Sequence, residues 1–338
     1  SADNRFVAIW LVGRNETLNE VVVTEKQADF GFTRMRAVES MGIYEGKKSE
    51  VIIPEQLVAN LATNNARQVY ARVAGLNIWE NEGAGLQLSI GGRGLDPNRT
   101  SNFNVRQNGH DISADALGYP ESYYTPPIEA VGKIQIVRGA ASLQYGTQFG
   151  GLLNFVMKKP VLNRKLELVA RQSIGSFGFY NGFVSASGTV GKLSYYTFGQ
   201  YKQGNGWRPN SHFTNGTFYA DVDYRLSEKT TLGVDVTHTS YLAQQPGGLT
   251  DQMFRDNPRQ SNRERNWFKV NWNMLAVHFD HKFNVNHEFN LRLFGLSAYR
   301  YSLGFRPNRV ASIDDNSERD LIKGDFTNWG AEARFLKR

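Results

Sequence analysis

The chain has 338 residues, 40% hydrophobic and 21% charged, with a mean hydropathy of −0.47. No run approaches 18 consecutive apolar residues, which excludes a membrane-spanning helix but not a β-barrel, whose lumen-facing half is polar. A formal charge of +7 suits an anionic ligand better than nucleic acid, because only pairs such as Lys47-Lys48 and Lys158-Lys159 are adjacent. Cysteine is absent, so disulfides, thiolate metal sites and a cysteine nucleophile all drop out.

No leader opens the chain at Ser1, so a processed or trimmed start is expected. Phe6–Val12 reads as the last strand of a preceding domain, with residues 1–13 as its remnant. Residues 14–50 then read as a linker carrying one isolated β-prone run, Leu18–Glu25, with the apolar triplet Val21, Val22 and Val23 at its centre.

Residues 51–160 predict a small mixed α+β domain. Pro54-Glu55 opens a helical turn, Asn64 or Asn65 caps a helix through Ala66–Arg72, and Gly75 sits where it would stop. Strands are predicted at Leu86–Gly92, Phe103–Gln107 and Lys133–Val137, with Asn108-Gly109 as a two-residue hairpin signal. A connector studded with Gly139, Gly146, Gly150 and Gly151 leads to a further β-type run, Leu152–Met157.

From 161 to 338 the pattern changes. Tyr219, Asp221, Asp223 and Arg225 alternate with Phe218, Ala220, Val222, Tyr224 and Leu226, giving one polar and one apolar face. Asn328, Gly330, Glu332 and Arg334 alternate in the same way with Trp329, Ala331, Ala333 and Phe335. Strands are predicted near 165–175, 179–189, 193–203, 215–226, 230–242, 266–283, 287–302 and 323–337. Their connections fall into two sets: tight at Val190–Lys192, Ser227–Lys229 and Asn284–Asn286, long at Gly204–Thr214, Ala243–Arg265 and Leu303–Ile322, with the first link, Ser176–Gly178, breaking the pattern by being short. Short turns on one side and long loops on the other mark a membrane barrel; a soluble all-β binding module is the alternative.

Three motifs in order carry a family resemblance: Ser89–Gly94, Ile134–Gly139 and Tyr145–Asn154. Together they resemble the plug domain of TonB-dependent outer-membrane receptors. The resemblance implies a transmembrane antiparallel β-barrel of about 22 strands around an N-terminal mixed α+β plug. The chain supplies eight of those strands and is expected to be the N-terminal part of a longer receptor, with later strands or another chain closing the wall. It also implies an importer in the outer membrane of a Gram-negative bacterium, not an enzyme, with membrane lipid around it. Glu20, Val21, Val22, Val23 and Thr24 are then the segment that adds a strand to a TonB-type periplasmic energising protein. Arg93 and Arg138 are expected to pair with wall carboxylates and lock the plug, with Glu332 as one candidate partner.

Gly94–Tyr124 is similar to the plug of the ferric citrate branch, which implies an anionic ferric chelate as cargo. Asn98, Arg99, Tyr119 and Gln148 are the apical candidates, and Arg208, Arg306 and Arg309 are those from the long loops. Arginine's fork suits carboxylates. Oligosaccharide, peptide, haem and corrinoid importers of the same architecture are the rival cargo classes; the first two would use aromatic platforms such as Trp207. No resident cofactor or metal is expected: His278 and His281 face opposite sides of a strand, and no His-Glu-x-x-His or phosphate-loop motif occurs.

Overall fold

The computed structural model describes residues 31–39, 42–44, 49–80, 84–115, 121–146, 148–306, 309–315 and 317–338. Residues 1–13 and the run Glu20–Thr24 lie outside the described residues, as does Tyr119. Among the described residues no helix is long and apolar enough to cross a membrane, which says nothing about strands.

Two sheets dominate. The first is mixed and belongs to the N-terminal domain: β1 (Phe32–Arg34), β2 (Glu50–Ile52), β3 (Phe103–Gln107), β4 (His110–Asp111), β5 (Val131–Val137) and β6 (Gly151–Met157). Their spatial order is β1-β2-β5-β6-β3-β4. Only the β6–β3 pairing is parallel. Asn108 and Gly109 both have positive φ, +48° and +86°, the conformation that a two-residue hairpin of this hand requires. The sheet begins earlier than expected. β1, placed by its sequence in the linker 14–50, pairs with β2, and three residues are too few to show a period.

The second sheet is β7 (Glu167–Gly175), β8 (Phe179–Val190), β9 (Leu193–Gly204), β10 (Phe213–Ser227), β11 (Thr230–Gln244), β12 (Trp267–Asn284), β13 (His287–Leu303) and β14 (Leu321–Lys337). Every neighbour is the next strand in sequence and every pair is antiparallel. The predicted alternation holds in space. Tyr219 and Asp221 are buried, whereas Phe218, Val222, Tyr224 and Leu226 are exposed on the other face.

The buried face of this wall packs on the N-terminal domain, and the two share one hydrophobic core. Two aromatic clusters fill it. Phe183, Phe198 and Tyr219 stack with ring centroids 5.4 and 5.6 Å apart, and Tyr123 of the inner domain stacks on Phe268 at 5.5 Å. Such pairs add about 0.5–1.5 kcal/mol each beyond burial alone. Polar bonds cross the same interface: Gln107 Nε2 donates to Thr237 Oγ1 (2.9 Å), Asn108 Nδ2 to Tyr219 OH (2.8 Å) and Asn328 Nδ2 to the Ala114 carbonyl (2.6 Å). Lys202, almost fully buried in the wall, donates to the carbonyl of Ala84.

Candidate ligand site and plug lock

The segment Asp96-Pro97-Asn98 makes a tight turn. Asn98 N–H donates to Asp96 Oδ1 at 2.9 Å, and Thr100 N–H to the Pro97 carbonyl at 3.0 Å. Thr100 Oγ1 is clamped between the Leu88 carbonyl and Ile90 N–H, at 2.8 and 3.2 Å. Arg99 and Thr100 consequently hold left-handed conformations, φ +48° and +56°. For a β-branched threonine this is a true outlier, and such strain costs on the order of 1–3 kcal/mol per residue.

The turn aims Arg99 at an aromatic pair from both domains. Its guanidinium lies 5.3 Å from the Tyr123 ring centroid and 5.5 Å from that of Phe268. Arg300, on the buried face of β13, sits over the same two rings at 5.3 and 5.4 Å. Glu121 takes an ion pair from Arg99 Nη1 at 2.9 Å, and the Tyr123 hydroxyl donates to the same carboxylate. Arg300 Nη2 donates to the Tyr123 hydroxyl at 3.1 Å. Two cations therefore converge on one aromatic platform, with the Glu121 carboxylate paired to Arg99. Phe268 opens β12 and Arg300 nears the end of β13, so the cluster lies below the long loops 245–266 and 304–320.

The other candidates divide. Asn98 belongs to the Arg99 turn. Gln148 lies next to Gly146 and Asn104, beside the ion pair described below. Arg208 is spent on loop carbonyls, donating to Gln260 O at 2.9 Å and Pro246 O at 3.4 Å, and burial lowers its pKa. It lines a cavity of about 720 Å³ with Trp207, Phe177, Phe179 and Phe213. Arg306 is exposed and donates to Ser302 Oγ at 2.6 Å, and Arg309 is exposed on the same loop. Arg300 was the residue that sequence reasoning missed. It shares the even-numbered face of β13 with Phe294, Leu296 and Ala298, so no polar alternation marks it in the sequence.

Glu332 takes a different arginine from the two expected. Arg138 pairs inside its own domain, with Glu50 at 2.5 Å and the Ala74 carbonyl at 2.6 Å, because β5 lies against β2 with Glu50 opposite Ile136. Arg93 occupies an exposed left-handed turn, φ +59°, and makes no ion pair among the described residues. The arginine that reaches Glu332 is Arg106, two residues before the hairpin Asn108. Its Nη2 and Nη1 contact the two carboxylate oxygens at 2.7 and 3.0 Å, and its Nε donates to Asn104 Oδ1 at 2.6 Å. Arg334 joins Glu332 at 2.8 Å. Close by, His110 is buried 3.9 Å from Asp235. Burial first, then the cations Arg292, Arg106 and His278, push its pKa down to about 3.

Comparison with known proteins agrees with this architecture. Residues 43–152 match the family model of the TonB-dependent receptor plug domain. Over 89% of its length the chain superposes on the ferric citrate transporter FecA in its unliganded form, with a TM-score of 0.72 and 22% identity, covering 45% of that chain. The ferric preacinetobactin receptor BauA from Acinetobacter baumannii follows at 0.68 and 14%, with 85% and 43% of the two chains covered. The copper transporter OprC gives 0.67 and 13%, with 88% and 44% covered. The chain thus spans less than half the length of these structures, and at such identities the likeness is one of fold. That fold is a small mixed domain, matching the plug model over residues 43–152, seated against an eight-stranded antiparallel sheet.

Proposed function

We propose that this chain is the plug and first barrel segment of an outer-membrane importer, energised by a TonB-type protein, whose cargo is an anionic ferric chelate of the ferric citrate class. The observation that carries the cargo class is the Arg99–Arg300 pair over Tyr123 and Phe268. Guanidinium forks present paired donors to carboxylates, and the aromatic floor excludes water from beneath them. Glu121 pairs with Arg99, and a chelate carboxylate would compete with it for that fork. Glu20–Thr24 is the segment assigned to the energising partner, and the exposed apolar face of β10 is assigned to lipid.

The cavity beside Trp207 favours a second cargo class, an oligosaccharide or peptide, because four aromatic side chains line it. Calorimetry on the full-length receptor separates the two. Saturable binding of ferric citrate, with no heat from oligosaccharides, other siderophores or haem, supports the first; binding of an oligosaccharide alone supports the second.

A further inference from the structure

Gly42–Tyr44, on the plug side of the N-terminal segment, is held by the residues that precede the Tyr-Gly step. Ile43 N–H donates to Gln144 Oε1 at 3.0 Å, and Gln144 Nε2 returns a bond to the Ile43 carbonyl at 2.6 Å. The hydroxyls of Tyr44 and Tyr145 bond to each other, and their rings are nearly parallel, 8° apart at 6.3 Å. A Cβ on Gly42 would collide with both hydroxyls, so glycine is what lets the segment close over them. Both tyrosines are buried.

Tyr145 is also the floor of the plug–wall lock. Arg106 lies 5.0 Å from its ring centroid and Arg334 lies 4.3 Å from it. These are the two arginines that grip Glu332, and Arg106 Nη2 donates in addition to the Tyr145 carbonyl at 3.3 Å.

We propose that Tyr44 is a positioning residue: docked on Tyr145 it holds Arg106 and Arg334 in register on Glu332, and its withdrawal loosens the plug from the wall. The proposal rests on the import function above, since it gives a pull on the N-terminal segment a route to the lock. A cation held over an aromatic face loses orientation when that ring tilts or hydrates. Undocking Tyr44 exposes the ring edge and hydroxyl of Tyr145 to water. The pull need not unravel the plug sheet to reach the ion pair.

These 338 residues contain no cysteine, so a thiol introduced among them can be read against the unsubstituted receptor. Ala114→Cys adds a buried thiol where the plug meets Asn328 of the wall, and the maleimide labelling it adds to the full-length receptor reports plug displacement. Tyr44→Ala should raise labelling of the resting receptor about tenfold, and Tyr44→Phe by less. In a Glu332→Gln background, where the lock is already broken, Tyr44→Ala should add little, because the two changes act on one network. Parent-like labelling in Tyr44→Ala, or an equal increase in both backgrounds, would overturn the proposal. The import reading is tested separately on the Ala114→Cys parent with cargo and the energising protein. Failure to gain labelling there would sink that reading, whatever Tyr44→Ala does at rest.

Discussion

Arg106 of the plug and Glu332 of the wall face each other through two nitrogen–oxygen contacts, 2.7 and 3.0 Å, and Arg106 is almost fully buried. Removing the carboxylate leaves a buried guanidinium with weaker partners, which costs about 3–5 kcal/mol. Glu332→Ala should therefore lower the denaturant concentration at which the plug leaves the wall. Glu332→Asp, with a shorter reach, should fall between. Unfolding followed by protease accessibility of the plug measures both, and a wild-type midpoint in Glu332→Ala would show that the pair does not hold the plug.

The exposed face of β10 gives a second expectation. Val222 points away from the plug, and Asp221 is buried toward it. Val222→Arg should impair membrane assembly by about 2–4 kcal/mol if it lies near the bilayer midplane. Asp221→Asn should leave assembly intact. Heat-modifiability on gels after outer-membrane extraction reads the result, and equal assembly of the two variants would argue against lipid on this face.

His110 makes plug seating pH-dependent. Its folded pKa, about 3, lies below the ordinary value near 6.5, so the unfolded state binds the proton first as pH falls. Stability is complete above about pH 6.5 and declines toward pH 3, at up to about 1.4 kcal/mol per unit. His110→Gln should flatten this part of the profile. Titrating the plug-release midpoint from pH 7 to 4 checks it; an identical slope in both proteins would assign the dependence to other groups.

The wall was legible in the sequence because period-two alternation and the contrast of tight and long connections survive without any neighbour. The eight observed strands begin and end within two residues of the predicted ranges. The Asn108-Gly109 turn was legible for the same local reason. The lock was not, since Arg93, Arg106 and Arg138 all lie at or near strand ends and only tertiary packing decides which one faces Glu332. Arg138 found Glu50, 88 residues away, because β2 runs beside β5, a pairing that no local pattern encodes. Arg99 could be singled out from its turn. Its companion Arg300 could not, because attention to loop arginines passes over one hidden in a strand.

The anion site itself is tested most directly by titrating ferric citrate into the full-length receptor and its Arg99→Ala and Arg300→Ala variants, at low and high salt. A hydrogen bond to a charged group is worth about 1.5–3 kcal/mol, so each variant should lose roughly one to two orders of magnitude in affinity. Arg99→Lys should recover only part of the loss, because the ammonium keeps the charge without the fork. Wild-type affinity in both alanine variants would contradict the account and move cargo recognition away from Tyr123 and Phe268.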